Sequence, residues 1–230
     1  QCKVNKGEKC NYTRMNPNRS YYIPNELSDK FFEYYEKAIE KNTKLSLIER
    51  HTDFGPMVID IDLKFDSTDI NRKYTIDHIE AIISAYLSEI EEAFDINDET
   101  KYDVFVFERN HPYLEKKKDK TIVKDGIHIM FPYIISKPNI QLYIRDNILK
   151  KCSDLFSDIN VINSTADIFD RSVISSNGWF LYKSVKPNKD PYLLTHIFDN
   201  KIQEKSMDEY DYGGDSIYKF LSIRRNDTKD

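Results

Sequence analysis

Apolar residues recur along several stretches of the chain at steps of three and four, the spacing that places them on one face of a helix. This pattern predicts helices over residues 28–42 and 75–95. A third predicted helix is capped by Ser136 and carries Pro138 in its first turn. The predicted buried faces are, in order: Phe31, Tyr35, Ala38 and Ile39; Ile76, Ile79, Ile83, Leu87, Ile90 and Phe94; Ile140, Ile144 and Ile148.

Other stretches are rich in Val and Ile or alternate in polarity, which indicates strands. Strands are predicted at residues 45–49, 57–63, 102–108, 121–132, 180–184 and 192–198, with a charged hairpin tip at 115–120. From residue 57 the order is strand, helix, strand, strand, helix, strand, which is the order of the split βαβ or ferredoxin-like unit. We therefore predict an α+β fold: an antiparallel sheet with both helices on one face and the other face free.

The segments before this unit form an N-terminal addition in this interpretation. Residues 1–22 are polar and predict an arm or loops, followed by the first helix and a short strand. No repeat or low-complexity linker divides the chain, so we predict a single domain over 1–230, with an arm and helix at 1–44 and a core at 45–225. The chain starts at Gln1 without a secretion signal, and we expect it to be a piece of a longer protein.

Composition excludes some classes of protein. No apolar run approaches the roughly 20 residues that a membrane helix needs, and mean hydropathy is −0.65. The net charge of −5 argues against a histone-like or coat-like nucleic-acid binder, although an enzyme with a local basic groove is compatible with it. Three cysteines, Cys2, Cys10 and Cys152, are too few and too scattered for a disulfide framework and lack zinc-finger spacing, which indicates reduced thiols inside a cell.

Two carboxylates stand out in the predicted strand at 57–63. Asp60 and Asp62 alternate with apolar residues, so they share one face of the strand while Ile59, Ile61 and Leu63 point into the core. A solvated polar face would also place acidic residues here, but Asp is disfavoured in strands. Two adjacent carboxylates repel unless a cation lies between them, and their oxygens suit Mg²⁺ or Mn²⁺. We predict a metal site.

A second group lies in the strand at 121–132. Lys124, Gly126 and His128 share one face, and the absence of a side chain at Gly126 would let a ligand approach the backbone. A Lys and a His beside bare backbone suit a triphosphate. His128 could instead be structural, or a metal ligand beside Asp60 and Asp62 as in two-metal nucleases.

A third group follows later in the chain. Asp170 ends a short apolar stretch and is a candidate third acidic residue, but by sequence alone Asp167 is an equally good candidate. Lys183 lies within a predicted apolar strand, where a cation requires a carboxylate or an anionic ligand.

Taken together, the three groups resemble the archaeo-eukaryotic primase (AEP) superfamily, and most closely the primase domains of primase-helicases from large cytoplasmic DNA viruses and the PrimPol branch. The family's acidic pair, its small residue-x-His strand and its hydrophobic-Asp position match Asp60 with Asp62, Gly126 with His128, and Phe169 with Asp170. Further matches are Lys124, the strand ending at Lys183 and Ser184, and the segment 221–225. The resemblance covers residues 45–225 and implies an RRM-like core with an N-terminal αβ unit.

The resemblance implies nucleotidyl transfer: a DNA primase or primase-polymerase that makes primers on single-stranded DNA from NTP or dNTP. By resemblance, Asp60, Asp62 and Asp170 bind a pair of Mg²⁺ or Mn²⁺ ions and, with His128, form the catalytic group. Lys124, Gly126, His128, Lys183 and, as a weaker candidate, Arg50 bind the nucleotide. The tip at 116–120 with Arg171, Lys186 and Lys189 would supply a basic groove, although each of these is more commonly a solvated surface charge.

The sequence also departs from the family. Gly126 stands where many relatives have Ser, and neither a Walker A motif nor a zinc module is evident, so the helicase part of the parent protein is expected to be absent from this chain. The implied location is intracellular, at a viral replication site in the host cytoplasm, with no membrane association.

Three other interpretations use the same residues. A metal-dependent nuclease would need the Asp and His groups but no triphosphate site, leaving Lys124 and Lys183 without a role. A non-catalytic RRM-like module would carry aromatic residues on its sheet face instead of Asp and His. A non-haem iron site would need a second His near the first, and neither His111 nor His196 fits such a pattern.

Overall fold

The computed structural model of the protein describes residues 2–5, 7–96, 100, 102–117 and 120–224. Within them, ten strands form two antiparallel sheets. The strands are β1 (Lys3–Val4), β2 (Tyr12–Arg14), β3 (Arg19–Tyr21), β4 (Leu47–Glu49), β5 (Gly55–Phe65), β6 (Val104–Glu108), β7 (Tyr113–Lys117), β8 (Lys120–Ser136), β9 (Trp179–Phe180) and β10 (Leu193–Phe198). The α-helices are α1 (Ser28–Glu40), α2 (Ile76–Ala93), α3 (Pro138–Lys151), α4 (Thr165–Ile168), α5 (Ser172–Ser175) and α6 (Ile217–Phe220).

The main sheet has the strand order β10-β6-β8-β5, and β7 forms a hairpin with β8. Both long helices, α2 and α3, cover the same face of this sheet, as the sequence predicts. Ile59, Ile61 and Leu63 of β5 point into that core together with Ile127 and Ile129 of β8. Because successive side chains of a strand point to opposite faces, the residues of β5 and β8 that alternate with these lie on the other face of the sheet.

Helix α2 forms where the apolar periodicity is strongest. Thr75 precedes it, and the side chains of Thr75 and His78 form a capping box that satisfies backbone N–H groups at the helix start. Ile79, Ile83 and Ile90 are buried against the sheet. The prediction of this helix is confirmed, with an end two residues earlier than expected.

The opposite face of the main sheet is not free, contrary to expectation. Val58, Phe105 and Met130 pack there against Trp179 and Phe220, in a second apolar core. The second sheet, in the order β1-β3-β2-β4-β9, lies beside this core. Residues 1–22, predicted as an arm or loops, contribute three of its strands. Strands of two or three residues are too short for an alternating pattern to reveal them in the sequence.

Two local predictions are wrong. The strand predicted at 180–184 contributes only Phe180 to β9, because Lys183 has a positive φ of 64° and the chain turns there. Ser136 ends β8 and does not cap α3; Lys137 occupies the capping position, and Pro138 starts the helix as expected.

The α+β class with antiparallel sheets is confirmed, but the ferredoxin-like βαββαβ core is not. Strand β9, at the position predicted for the last strand of that unit, pairs with β4 in the second sheet, and β10 pairs with β6. A ferredoxin-like sheet instead places its last strand beside the first strand, here β5. Among the helices of the described residues, none is both long and apolar enough to cross a membrane.

Candidate active site

The acidic pair lies on the face of the main sheet opposite α2 and α3, in the longest strand pairing among the described residues. Strand β5 pairs with β8 so that Asp60 faces His128 and Asp62 faces Gly126. Asp170 reaches the same place from another part of the chain: its N–H donates to the carbonyl of Asp60 at 2.9 Å, next to a bridge between Ile61 and Phe169. One oxygen from each of the three carboxylates lies within 4.8 Å of the other two.

The segment that carries Asp170 is held against the edge of β5 by polar contacts. Asn163 donates to the carbonyl of Asp62 at 2.8 Å and accepts from the N–H of Lys64 at 3.0 Å. From α3, the buried guanidinium of Arg145 donates to the carbonyls of Ala166 and Phe169, both at 2.8 Å. These bonds fix the backbone immediately before Asp170.

The side chain of Asp170 is oriented by α5. The Ser172 N–H and hydroxyl donate to the two Asp170 carboxylate oxygens, each at 2.8 Å. Asp167, the competitor that sequence alone did not exclude, bonds instead with Ser164 at the start of α4 and is outside the acidic cluster.

The environment of the acidic pair suits a divalent cation. Oδ1 of Asp60 is buried and accepts no hydrogen bond from the described residues, which leaves an orphaned acceptor inside the cluster. Three carboxylates are the hard oxygen donors that Mg²⁺ and Mn²⁺ take. Asp60, Asp62 and Asp170 could therefore hold a metal ion.

The pKa values of the two carboxyl groups are shifted in opposite directions. Burial tends to raise the pKa of Asp60, but the neighbouring His128 and the positive charges of Lys186 and Arg109 outweigh it, so the pKa lies below its usual value. Burial and the charge of Asp60 raise the pKa of Asp62. A cation between the two carboxylates would relieve this repulsion.

Two aromatic side chains, those of Tyr192 and Trp179, lie against the ring of His128. Its Nε2 lies 3.4 Å from Oδ1 of Asp60. Its ring stacks on Tyr192 with centroids 3.6 Å apart, and Trp179 lies on it at 4.5 Å. These contacts fix the orientation of the imidazole beside the acidic cluster.

The backbone at Gly126 is not open to a ligand, although the sequence predicted that it would be. A β-carbon built at Gly126 would lie 2.5 Å from the Tyr192 hydroxyl and 2.8 Å from the carbonyl oxygen of Ile61. The space above this backbone is therefore filled by Tyr192, and a ligand can approach it only if that ring moves. The glycine is explained by packing.

A cleft of about 440 Å³ opens over the acidic cluster. Lys186 lines it, and Lys124, on the same face of β8, lowers the pKa of Asp62 by its charge. Lys183 lies outside this cleft, with its Nζ over the rings of Tyr182 and Tyr218 at 5.6 and 5.8 Å. Arg50 also lies outside, with Nη1 3.5 Å from the sulfur of Cys10.

The sequence of this chain matches one family model, described as the C962R protein N-terminal AEP domain, over residues 11–198. The chain belongs to this AEP family. This confirms the resemblance to the archaeo-eukaryotic primase superfamily. The AEP domain is also 31% identical to "Putative helicase L207/L206" of Acanthamoeba polyphaga mimivirus over 90% of this chain, and 25% identical to "Putative helicase 184R" of Invertebrate iridescent virus 6 over 87% of it. It spans 21% and 22% of the lengths of these two relatives, respectively.

Three residues at the AEP domain's cleft were missed by sequence reasoning. Arg109, Trp179 and Tyr192 all line it. Tyr192 starts a predicted strand and Trp179 directly precedes one, and nothing in their spacing indicated that both contact His128. The sequence shows that Arg109 directly follows the apolar strand β6, but its burial, which makes a partner for the cation necessary, is visible only in the structure.

Two other segments named in the sequence analysis lie only partly within the described residues. The tip at 116–120 and the ending at 221–225 include Lys118, Asp119 and Arg225, which lie outside the described residues. His196, considered for an iron site, pairs with Glu204 at 2.7 Å and is outside the acidic cluster.

Proposed function

We propose that this AEP domain is a template-directed nucleotidyltransferase, a DNA primase or primase-polymerase acting on single-stranded DNA. The observation that carries this proposal is the convergence of Asp60, Asp62 and Asp170 in one cleft with His128 beside them. Membership of the AEP family supports nucleotide transfer as the class of reaction.

Asp60, Asp62 and Asp170 would hold two Mg²⁺ or Mn²⁺ ions. Such ions supply charge that stabilises both the attacking and the leaving oxygen during phosphoryl transfer. The buried Oδ1 of Asp60, which accepts no hydrogen bond from the described residues, and the raised pKa of Asp62 support this assignment, because a bound cation would give that oxygen a ligand contact and would lower the pKa of Asp62.

In the proposed reaction, a 3′-hydroxyl releases its proton to solvent and its oxygen forms a bond to the α-phosphorus of the incoming nucleotide. The bond from that phosphorus to the bridging oxygen breaks, and pyrophosphate leaves with the negative charge. Lys186 and His128 line the cleft and would bind the triphosphate as donors; Lys124 lies on the same face of β8, with its Nζ 4.0 Å from Glu115, and would be a third donor. Trp179 and Tyr192 hold the His128 ring in place for this role. Lys183 and Arg50 have contacts elsewhere and are weaker candidates.

The proposal extends to the parent protein. Relatives of about five times this length carry helicase names, so we place this domain next to a helicase part of one longer viral replication protein. We propose that it acts where such a virus replicates its DNA, in the host cytoplasm.

The decisive experiment is synthesis on unprimed single-stranded DNA with labelled nucleotides and Mn²⁺ or Mg²⁺. We expect short products from the wild type and none from Asp60→Asn/Asp62→Asn. The matched control is Asp167→Asn, which removes a carboxylate close in sequence to Asp170 but outside the cluster, and which should retain synthesis. Metal-dependent degradation of the template instead of synthesis would overturn the proposal in favour of a nuclease.

A further inference from the structure

A second and larger cleft adjoins the acidic one. It has a volume of about 630 Å³ and is lined by Lys44, Arg109, His111, Tyr113 and Lys189 among others. Arg109 and Asp190 line both clefts, so the two are neighbours across these side chains. None of the three acidic residues of the candidate metal site lines the second cleft.

Two cations of this cleft, Lys189 and Arg109, lie over the ring of Tyr113. Nζ of Lys189 lies 3.4 Å from the centroid of Tyr113, and the guanidinium of Arg109 lies 5.2 Å from the same ring. Among the described residues, no carboxylate forms an ion pair within 4.0 Å of Lys44, Arg109 or Lys189. Asp190 is the one acidic residue that lines the cleft. Three cations against one carboxylate in the lining leave an excess of positive charge, which attracts anions.

The buried side chain of Arg109 is a second, independent observation that favours an anion site here. Its side chain is only 7% exposed, and its Nε is buried with no hydrogen-bond partner among the described residues. A buried donor of a charged group that lacks a partner is costly, and an anion in either adjoining cleft would relieve it.

We propose that this second cleft binds the phosphate backbone of the single-stranded nucleic acid on which the acidic site acts. The proposal rests on the proposed function. A triphosphate that shares oxygens with ions on Asp60, Asp62 and Asp170 has to lie in the acidic cleft. The neighbouring basic cleft is then the place for a different phosphate group. Arg109, at the boundary, would contact the strand where it passes from one cleft to the other.

The test compares two double variants of equal charge change. Lys44→Ala/Lys189→Ala removes two cations of the cleft. Lys150→Ala/Lys201→Ala is the control, because both of these lysines are exposed and neither lines a cleft described above. Binding of a fluorescent single-stranded oligonucleotide of about 15 nucleotides is measured by anisotropy over a series of salt concentrations.

We expect the cleft variant to lose about tenfold in oligonucleotide affinity and to lower the slope of log K against log salt by about 1.4, two phosphate contacts at about 0.7 each for single strands. The control should keep the wild-type slope. A parallel titration with a fluorescent nucleoside triphosphate and Mn²⁺ should give equal affinities for wild type, cleft variant and control.

Either of two results would overturn the proposal. If the cleft variant loses triphosphate affinity and keeps oligonucleotide affinity, the cleft belongs to the nucleotide. If it matches the control in both titrations, the cleft binds neither phosphate. Failure of the proposed function would give a different result from failure of this proposal. If the wild type makes no primers but the cleft variant still shows the lower salt slope, the cleft binds the strand and only the polymerase activity is refuted.

Discussion

At the scale of single residues, Gly126 shows how the site is shaped by packing. Gly126→Ala would push a methyl group against the Ile61 carbonyl, which is backbone and cannot move, and against the Tyr192 hydroxyl. We expect it to reduce the free energy of unfolding by about 1–3 kcal/mol, the range of overpacking changes. Urea unfolding followed by circular dichroism measures this loss.

The control for this prediction is a double-mutant cycle with Tyr192→Phe, which removes only the hydroxyl. The double variant should lose less stability than the sum of the two single changes, because one of the two clashes is gone. Strict additivity would contradict the contact between Gly126 and Tyr192.

The candidate site also marks how far sequence reasoning extends at this scale. Period-two alternation is enough to place Asp60 and Asp62 on one face, and likewise Gly126 and His128. The choice between Asp167 and Asp170 depends on the bridge between Ile61 and Phe169, a contact over more than a hundred residues that no local pattern encodes. The same holds for Tyr192 over His128.

At the scale of elements, α3 positions the third carboxylate through Arg145. Arg145→Met would leave the carbonyls of Ala166 and Phe169 without donors at about 1–3 kcal/mol each, and would release the backbone before Asp170. We expect Mn²⁺ affinity to fall about tenfold, with Arg145→Lys intermediate because an ammonium lacks the planar fork. Isothermal titration calorimetry measures the affinity.

The matched control is Asp146→Asn, which removes the exposed partner of Arg145 Nη1. An exposed ion pair contributes at most about 1 kcal/mol, so this variant should bind Mn²⁺ as the wild type does. If Arg145→Met is destabilised yet binds Mn²⁺ with unchanged affinity, Arg145 supports the fold and does not position Asp170.

Strand β4 is tied to the segment at 222–224 by a buried carboxyl. Glu49 is fully buried and accepts from the Ser222 hydroxyl at 2.5 Å and from the Ile223 N–H at 2.9 Å. Burial raises the pKa of Glu49 from 4.5 to about 7, although these hydrogen bonds oppose the rise. The folded state therefore holds a proton that the unfolded state has already lost above pH 4.5.

This linkage predicts a pH dependence of stability. Between about pH 4.5 and 7 the folded state binds more protons at Glu49 than the unfolded state, so its contribution to the free energy of unfolding declines as pH rises. Glu49→Gln cannot titrate, and the difference in stability between wild type and variant should change across this window and be constant above it. Urea unfolding at several pH values tests this; a constant difference from pH 4.5 to 7 would contradict it.

Element prediction from sequence succeeded where periodicity is long and failed where pairing is distant. Helix α2 and strands β5 and β8 are long enough for their apolar pattern to decide their type. The second sheet is built from strands of two and three residues, and some of its pairings join distant parts of the chain, for example β4 with β9. The turn at Lys183 depends on a backbone conformation that a non-glycine residue rarely adopts.

At the scale of the whole molecule, the two faces of the main sheet differ, because only one of them carries the acidic cluster. The face covered by α2 and α3 is a continuous apolar core, and the other face carries the acidic cluster between the sheet and the segments around Trp179 and Asp170. The cluster therefore joins strand β5 to a loop more than a hundred residues later. A ligand bound there connects parts of the chain that separate on unfolding.

A cation on the cluster should thus stabilise the entire chain by mass action. At a Mn²⁺ concentration about 100 times the dissociation constant, the gain is about 2.7 kcal/mol, or roughly 5–10 °C in Tm for a chain of this size. Thermal unfolding with and without Mn²⁺ measures it. Asp60→Asn/Asp62→Asn should show no Mn²⁺-dependent shift, and its metal-free Tm should equal or exceed that of the wild type because the carboxylates no longer repel. Asp167→Asn should keep the shift, since its carboxylate bonds with Ser164 outside the cluster. A metal-free Tm well below that of the wild type would mean that Asp60 and Asp62 serve the fold, and the stabilisation would then need another origin.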